Sequence, residues 1–245
     1  MIMVFNTNSL KGKNIAITGA TKGIGRATAM LLSSLGANLL LGARDVIHLQ
    51  DLTSSFSGSQ SNVIVQYLNV EEEKSIMEFL NLGLSKLGKI DALVNCAGYG
   101  LFNSFLDLTT EEFDRMISVN LRGSFLTSKH FANHMVRNKR GQIININSIA
   151  GNIVLEGNSG YSASKFGLLG LTKVMQLELR KQGVFVTSIL PGSTNTSFWD
   201  HIDNHPDKSK MIPQEVIAMN IASVLCQPEG AVVEEITITP PLGVL

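Results

Sequence analysis

Tyr161 and Lys165 lie four residues apart at the start of a stretch with helical patterning, Tyr161–Gln182. Four helical residues advance about 6 Å and turn about 400°, so the two side chains leave nearly the same face. An unperturbed tyrosine has a pKa of about 10, and to exchange protons near neutrality it must fall by roughly three units, worth about 4 kcal/mol. One ammonium about 4 Å from the phenolate, at an effective dielectric of about 20, supplies on the order of 4 kcal/mol. The pair is thus expected to give a phenol of lowered pKa that passes a proton to or from a reacting oxygen. Ser148, a little upstream, carries a hydroxyl that can donate to the same oxygen; a serine ahead of a helix is equally a common cap.

A second site of chemistry is written in glycine. The β-branched run Asn14–Thr18 leads into Thr18-Gly19-Ala20-Thr21-Lys22-Gly23-Ile24-Gly25, and a helical pattern follows at once. Glycines allow a tight turn and a close backbone approach, and the helix start supplies free N–H groups with a partial positive charge, a cradle for a pyrophosphate. Such a motif counts only in its context of strand, turn and helix, which this one has.

The elements that must position these groups alternate from end to end. Strand candidates are Asn14–Thr18, Asn38–Ala43, Val63–Leu68, Ala92–Asn95, Gln142–Asn147, Val184–Leu190 and Glu235–Thr239, several of them apolar without alternation. Helical patterns fall at Ile24–Leu35, Val46–Phe56, Glu71–Leu87, Thr110–Asn138, Tyr161–Gln182 and Pro213–Cys226, with Gly36, Gly88, Gly141 and Gly183 just past four of them as left-handed caps. This rhythm predicts a parallel sheet with helices on both faces, doubly wound by right-handed crossovers. One stretch breaks it: Ser193–Ile212, polar and holding Pro206, reads as a lid.

With these motifs in order, the chain resembles the short-chain dehydrogenase/reductase family. The T-G-x-x-x-G-I-G turn matches directly. Asn95-Cys96-Ala97-Gly98 is similar to the family's N-N-A-G, with Cys for the second Asn, and Asn120 to its helix asparagine. Tyr161-Ser162-Ala163-Ser164-Lys165 matches Y-x-x-x-K, Ser148 closes the fifth strand, and Pro191-Gly192 with Thr196 resembles P-G-x-x-x-T. The resemblance implies an α/β fold, a Rossmann-type three-layer sandwich with a seven-stranded parallel sheet, as one domain over residues 1–245. It also implies hydride transfer between a nicotinamide and a ketone or secondary alcohol, as in a 3-oxoacyl reductase or another carbonyl reductase. Tyr161 would be the general acid/base and Ser148 the donor to the substrate oxygen. Lys165 would also hold the nicotinamide ribose, and Asn120 would fix a water linking Lys165 to solvent. Gly19, Thr21, Lys22, Gly23, Ile24 and Gly25 would border the cofactor, as would Asn95, Ala97, Gly98, Pro191, Gly192, Thr194 and Thr196. Asn69-Val70 resembles the family's adenine-contacting D-V pair. Val154, Phe198 and Trp199 would line the substrate pocket with Ser148 and Tyr161, and apolar groups there hint at a substrate with a hydrophobic portion.

The end of the second strand bears on the choice of nicotinamide. It reads Gly42-Ala43-Arg44-Asp45. By the resemblance Ala43 takes the place of the acid that NAD users carry, and Arg44 with Lys22 offers two cations to a 2′-phosphate, favouring NADP(H). If the turn is shifted by one residue, Asp45 accepts the 2′-hydroxyl instead and NAD(H) follows.

Twenty Lys+Arg balance twenty Asp+Glu, which gives no reason to expect nucleic acid or an anionic membrane surface as a partner. No apolar run approaches a membrane span. Cys96 and Cys226 are too few for a disulfide framework or a zinc site, and MIMVFNTNSLKGKN lacks the pattern of a secretory leader, so a cytoplasmic setting is expected. No metal is expected: His130 and His134 read as surface or interface residues, and His201 and His205, among Asp200, Asp203 and Asp207, as part of a solvated lid. The resemblance implies pairing through Thr110–Asn138 and Tyr161–Gln182 into a homodimer or homotetramer, the two prolines of the C-terminal tail making the tetramer less secure. A rival reading is an NAD(P)-binding regulatory or sensor protein without turnover, against which the intact Asn120, Ser148, Tyr161 and Lys165 argue. An epimerase of the extended branch needs a further C-terminal domain for which the residues after Gly192 leave no room.

Overall fold

The unalternated apolar runs become strands covered on both faces: every residue of β1 (Asn14–Thr18) and β4 (Ala92–Asn95) is buried. The structure, a computed structural model, describes residues 7–56, 61–202, 205–228 and 230–244; the start of the N-terminal stretch, Asp203 of the lid and the last residue, Leu245, lie outside these. The other strands are β2 (Asn38–Ala43), β3 (Val63–Tyr67), β5 (Gly141–Ile146), β6 (Val184–Pro191), β7 (Thr194–Asn195), β8 (Ile212–Pro213) and β9 (Glu235–Ile238). Seven of them form one sheet in the order β3-β2-β1-β4-β5-β6-β9, parallel throughout, while β7 and β8 pair separately. The edge strands β3 and β9 are the least buried, as their position requires.

Helices α1 (Gly23–Ser34), α2 (Val46–Ser54) and α7 (Gln214–Leu225) pack on one face, around Ile15, Ile17, Leu39, Leu41 and Ile221. On the other face α3 (Glu73–Leu87), α5 (Ser124–Arg137) and α6 (Ser159–Leu179) cover Leu40, Leu93, Ile143 and Val186. The fold is the doubly wound Rossmann-type arrangement that the alternation predicts.

Three details depart from the sequence reading. The helix expected over Thr110–Asn138 is α4 (Thr110–Met116), a π segment (Ile117–Gly123) and α5 in succession. The wider turn lets Gly123 lie against Val70, where a Cβ would come within 2.9 Å of the valine methyl Cγ2. The expected glycine cap at Gly141 falls on Lys139 instead, which takes φ +49°, while Gly141 opens β5 beneath Met135. Finally, α3 starts at Glu73 and not Glu71, because the Asn69 side chain turns the chain by accepting from the Glu71 N–H (3.2 Å) and donating to Glu72 (2.8 Å).

Candidate active site

β1 and β4 are neighbours in the sheet, but the chain winds outward from them in opposite directions, and the crevice at their C-terminal ends is where such sheets hold ligands. The turn leaves β1 at Gly19 with φ +66°; a Cβ there would stand 2.8 Å from Ala97 Cα, and one on Gly25 would fall 2.3 Å from the Gly19 carbonyl oxygen. Only glycine lets α1 begin this close to the turn. Across the crevice, Thr18 Oγ1 fixes the β4 exit by accepting from the N–H groups of Cys96 and Ala97 at 3.1 and 3.0 Å. No side chain caps the start of α1, so its first N–H groups remain free to receive an anion.

Ser148 follows β5, and both readings of it hold. Its Oγ caps the short turn Ile149–Gly151 by accepting from the Ala150 N–H at 3.1 Å, and its hydroxyl lies near enough to the Tyr161 phenol to act on it in the direction that lowers its pKa. Tyr161 stands in the first turn of α6, and one turn on Lys165, only 4 % exposed, sends Nζ to the Ile146 carbonyl at 3.0 Å. Nζ lies 5.6 Å from the centre of the Tyr161 ring. The electrostatics correct the expectation of a lowered tyrosine pKa: burial pushes Tyr161 up to about 12, opposed by the nearby Ser148 hydroxyl, and burial brings Lys165 down to about 8. Each charged form loses more hydration than its neighbours return. At neutral pH the phenol is therefore a proton donor.

Asn120 is fully buried within the π segment and acts as a clamp. Its Oδ1 accepts from the Tyr99 N–H at 2.8 Å, and its Nδ2 donates to the Tyr99 carbonyl (2.7 Å) and to Ser164 Oγ (2.9 Å). Both amide hydrogens are spent on protein, tying the loop after β4 to α6, so the side chain has no N–H left to hold a water. Asn95 likewise turns inward, donating to Ser128 Oγ and Asn145 Oδ1, both at 2.9 Å, and Asn145 donates in turn to Thr172 Oγ1. A buried polar layer thus joins β4, β5, α5 and α6 beneath the crevice.

At the end of β2, Ala43 is buried and Arg44 exposed; among the described residues Arg44 forms no ion pair. Asp45 caps α2, accepting from the His48 N–H (3.1 Å) and meeting the His48 ring at 2.6 Å, contacts that hold its carboxyl below the usual range. Lys22 is exposed beside the turn, and Val70 is buried against Gly123. Thr196 reaches over the turn, within 3.4 Å of where a Gly23 Cβ would stand, and Gly192 donates its N–H to the Ile238 carbonyl at 2.7 Å.

Comparison with known proteins agrees with this arrangement. The short chain dehydrogenase family profile matches residues 13–207. The chain belongs to that family. It is 35% identical to an uncharacterized oxidoreductase of Staphylococcus aureus, over 94% of this chain and 98% of that one. To a sepiapterin reductase of Chlorobaculum tepidum it is 31% identical, over 94% and 96%. Its fold superposes with TM-score 0.84 on a metagenomic short-chain oxidoreductase solved in complex with NADP (33% identical, 96% and 99% covered). The TM-score is 0.85 with an alcohol dehydrogenase of the archaeon Thermococcus sibiricus complexed with 5-hydroxy-NADP (30% identical, 92% and 95% covered). The protein is a short-chain dehydrogenase/reductase, an oxidoreductase.

In this short-chain dehydrogenase the stretch read as a lid is largely stitched down. β7 pairs with β8, the Ile212 N–H donates to the Ser193 carbonyl at 2.9 Å, and Trp199 Nε1 donates to the Thr194 carbonyl at 2.9 Å. Two of its acids are spent locally: Asp200 pairs with Lys208 at 2.6 Å, and Asp207 caps the turn Lys208–Lys210. His205 Nδ1 meets its neighbour's carbonyl, at Pro206, at 2.8 Å. Phe198 reaches Tyr161, and Trp199 stands behind it against Phe198 and Phe102; Phe102 and Gly100 join the group, which sequence reasoning missed because the loop after β4 has no periodicity to mark its inward side chains. Val154 does not join it: 84 % exposed, it borders a separate groove of about 350 Å³ with Phe105, Leu155 and Phe166 that neither Ser148 nor Tyr161 lines. His130 and His134 diverge, one to Glu73 Oε1 at 2.8 Å and the other to the Ile90 N–H at 3.3 Å. Among the described residues no helix is long and apolar enough to cross a membrane, and no three His, Cys, Asp or Glu side chains gather as for a metal ion.

Proposed function

We propose that the protein is an NADP(H)-dependent carbonyl reductase that interconverts a ketone and a secondary alcohol, with Tyr161 as general acid/base. The observation that carries this reading is Tyr161 with Ser148 near its hydroxyl and buried Lys165 one turn away, Nζ 5.6 Å from the ring centre, beside a glycine turn whose helix start has no side-chain cap. The residues present fit a dinucleotide: the close contacts at Gly19 and Gly25 leave backbone where side chains would stand, and the uncapped N–H groups of α1 suit a pyrophosphate. A bound nicotinamide would supply or accept the hydride. Tyr161, protonated at neutral pH, donates its proton to the oxygen of the carbonyl undergoing reduction. Ser148 donates to the same oxygen as charge builds there. Lys165, donating to the Ile146 carbonyl, sets a positive charge beside the phenol and would hold the ribose hydroxyls. Asn120 sets the loop and α6 at a fixed separation.

NADP(H) is favoured over NAD(H) because Arg44 is an exposed cation with no ion pair among the described residues and Lys22 is exposed beside the turn, whereas Asp45 is committed to α2 and His48. The relatives solved with NADP and 5-hydroxy-NADP support the same choice. Exposed Phe125 on α5 and Phe166, Val174 and Leu177 on α6 support pairing of two chains through these helices. The two free thiols fit a cytoplasmic setting.

The test follows NADPH and NADH consumption over a panel of ketones and aldehydes with wild type and Arg44→Ala. Turnover with NADPH preferred, and a preference that falls by about tenfold or more when the charged contact to phosphate is removed, is the expected result. No turnover of any carbonyl with either cofactor would overturn the reading.

A further inference from the structure

The ring of Phe198 is enclosed by three others. Its centre lies 5.7 Å from the Tyr161 ring, 6.0 Å from Phe102 and 5.6 Å from Trp199. Phe102 closes the figure, 5.7 Å from Tyr161 and 5.8 Å from Trp199, both edge to face. The fourth side is Gly100, where a Cβ would come within 2.4 Å of Phe198 Cζ and 3.0 Å of Tyr161 Cδ2. The Lys165 ammonium lies 5.6 Å from the centre of the Tyr161 ring, and no charged side chain among the described residues lies over the Phe102, Phe198 or Trp199 rings; the His205 ring stands 6.3 Å from Trp199.

We propose that this cage is the subsite for a flat, uncharged aromatic ring attached to the substrate carbonyl, and that the Phe198 ring occupies it until such a ring takes its place. The proposal rests on the reading of Tyr161 as proton donor, and it names the substrate class: aryl or heteroaryl ketones and aldehydes. A ring in the Phe198 position gains edge and face contacts from Phe102 and Trp199 and sits against the phenol that must protonate its carbonyl. A puckered saturated ring of equal bulk gains apolar burial but loses those contacts. Phe198, carried on the short helix Ser197–His201 and only partly buried, can turn away without moving the sheet or α6.

Acetophenone and cyclohexyl methyl ketone separate flatness from hydrophobicity, and kcat/KM for each with NADPH is the readout. Wild type is expected to favour the aryl ketone by about tenfold, the scale of two aromatic ring contacts. Phe102→Leu, which keeps bulk and removes the ring, should erase most of that ratio. Phe198→Ala, which removes the competitor, should lower KM for acetophenone more than for the cyclohexyl ketone. Trp199 is the only tryptophan, so quenching of its fluorescence reports acetophenone binding apart from turnover and should tighten in Phe198→Ala. Equal kcat/KM for the two ketones in wild type, or a ratio unmoved by Phe102→Leu, would overturn the cage while leaving the carbonyl reductase reading intact. Failure of the reading itself would appear differently, as no NADPH-dependent turnover of either ketone.

Discussion

At Lys165 the fold buries a charge beside the Tyr161 ring. Burial lowers this ammonium from 10.5 to about 8, so between those values the unfolded chain binds a proton that the folded chain does not. Stability therefore rises with pH across that window, and below it the cost of the buried charge is fully present. Lys165→Met is expected to raise the melting temperature at neutral pH by a few degrees, with the advantage shrinking above pH 8; calorimetry along a pH series checks it, and a variant less stable than wild type at neutral pH would contradict it. The Tyr161–Lys165 pairing was legible in the sequence because a four-residue spacing fixes a shared helix face whatever surrounds it. The direction of the Tyr161 shift was not, because it depends on Phe102 and Phe198, rings brought from distant loops. Val154 shows the same limit, since its place after Ser148 says nothing of which way the loop turns.

Among the elements, β1, the glycine turn and α1 form the unit in which chain direction and ligand binding are one problem. A methyl at Gly25 would meet the Gly19 carbonyl oxygen at 2.3 Å, and backbone cannot yield as a side chain can. Gly25→Ala is expected to weaken NADPH binding by about tenfold or more through loss of helix-terminus contacts to phosphate, read by titration calorimetry; unchanged affinity would show that the turn tolerates the shift. The strands were legible because both-face burial leaves unbroken apolar runs, and the observed strand ends lie within a residue of the predicted ones. The π segment was not, because widening a helix by one residue leaves the apolar spacing on either side intact. Its cause is tertiary: Asn120 must reach Tyr99 and Ser164 at once.

For the whole molecule, the exposed apolar residues of α5 and α6 form a surface that pairing would cover. Light scattering should give twice the chain mass for wild type, and Leu177→Glu, 67 % exposed on α6, should shift it toward one chain while leaving the melting transition cooperative; a monomeric wild type would remove the pairing from the account. The sheet order, the glycine turn and α6 converge on one phenol, and the most direct test is a single turnover of NADPH with one ketone for wild type and Tyr161→Phe. Phenylalanine keeps the ring packing, so affinity for NADPH and melting temperature should hold while hydride transfer slows by about 10²- to 10⁴-fold. A phenylalanine variant within about threefold of the wild-type rate would contradict the assignment of Tyr161 as the proton donor.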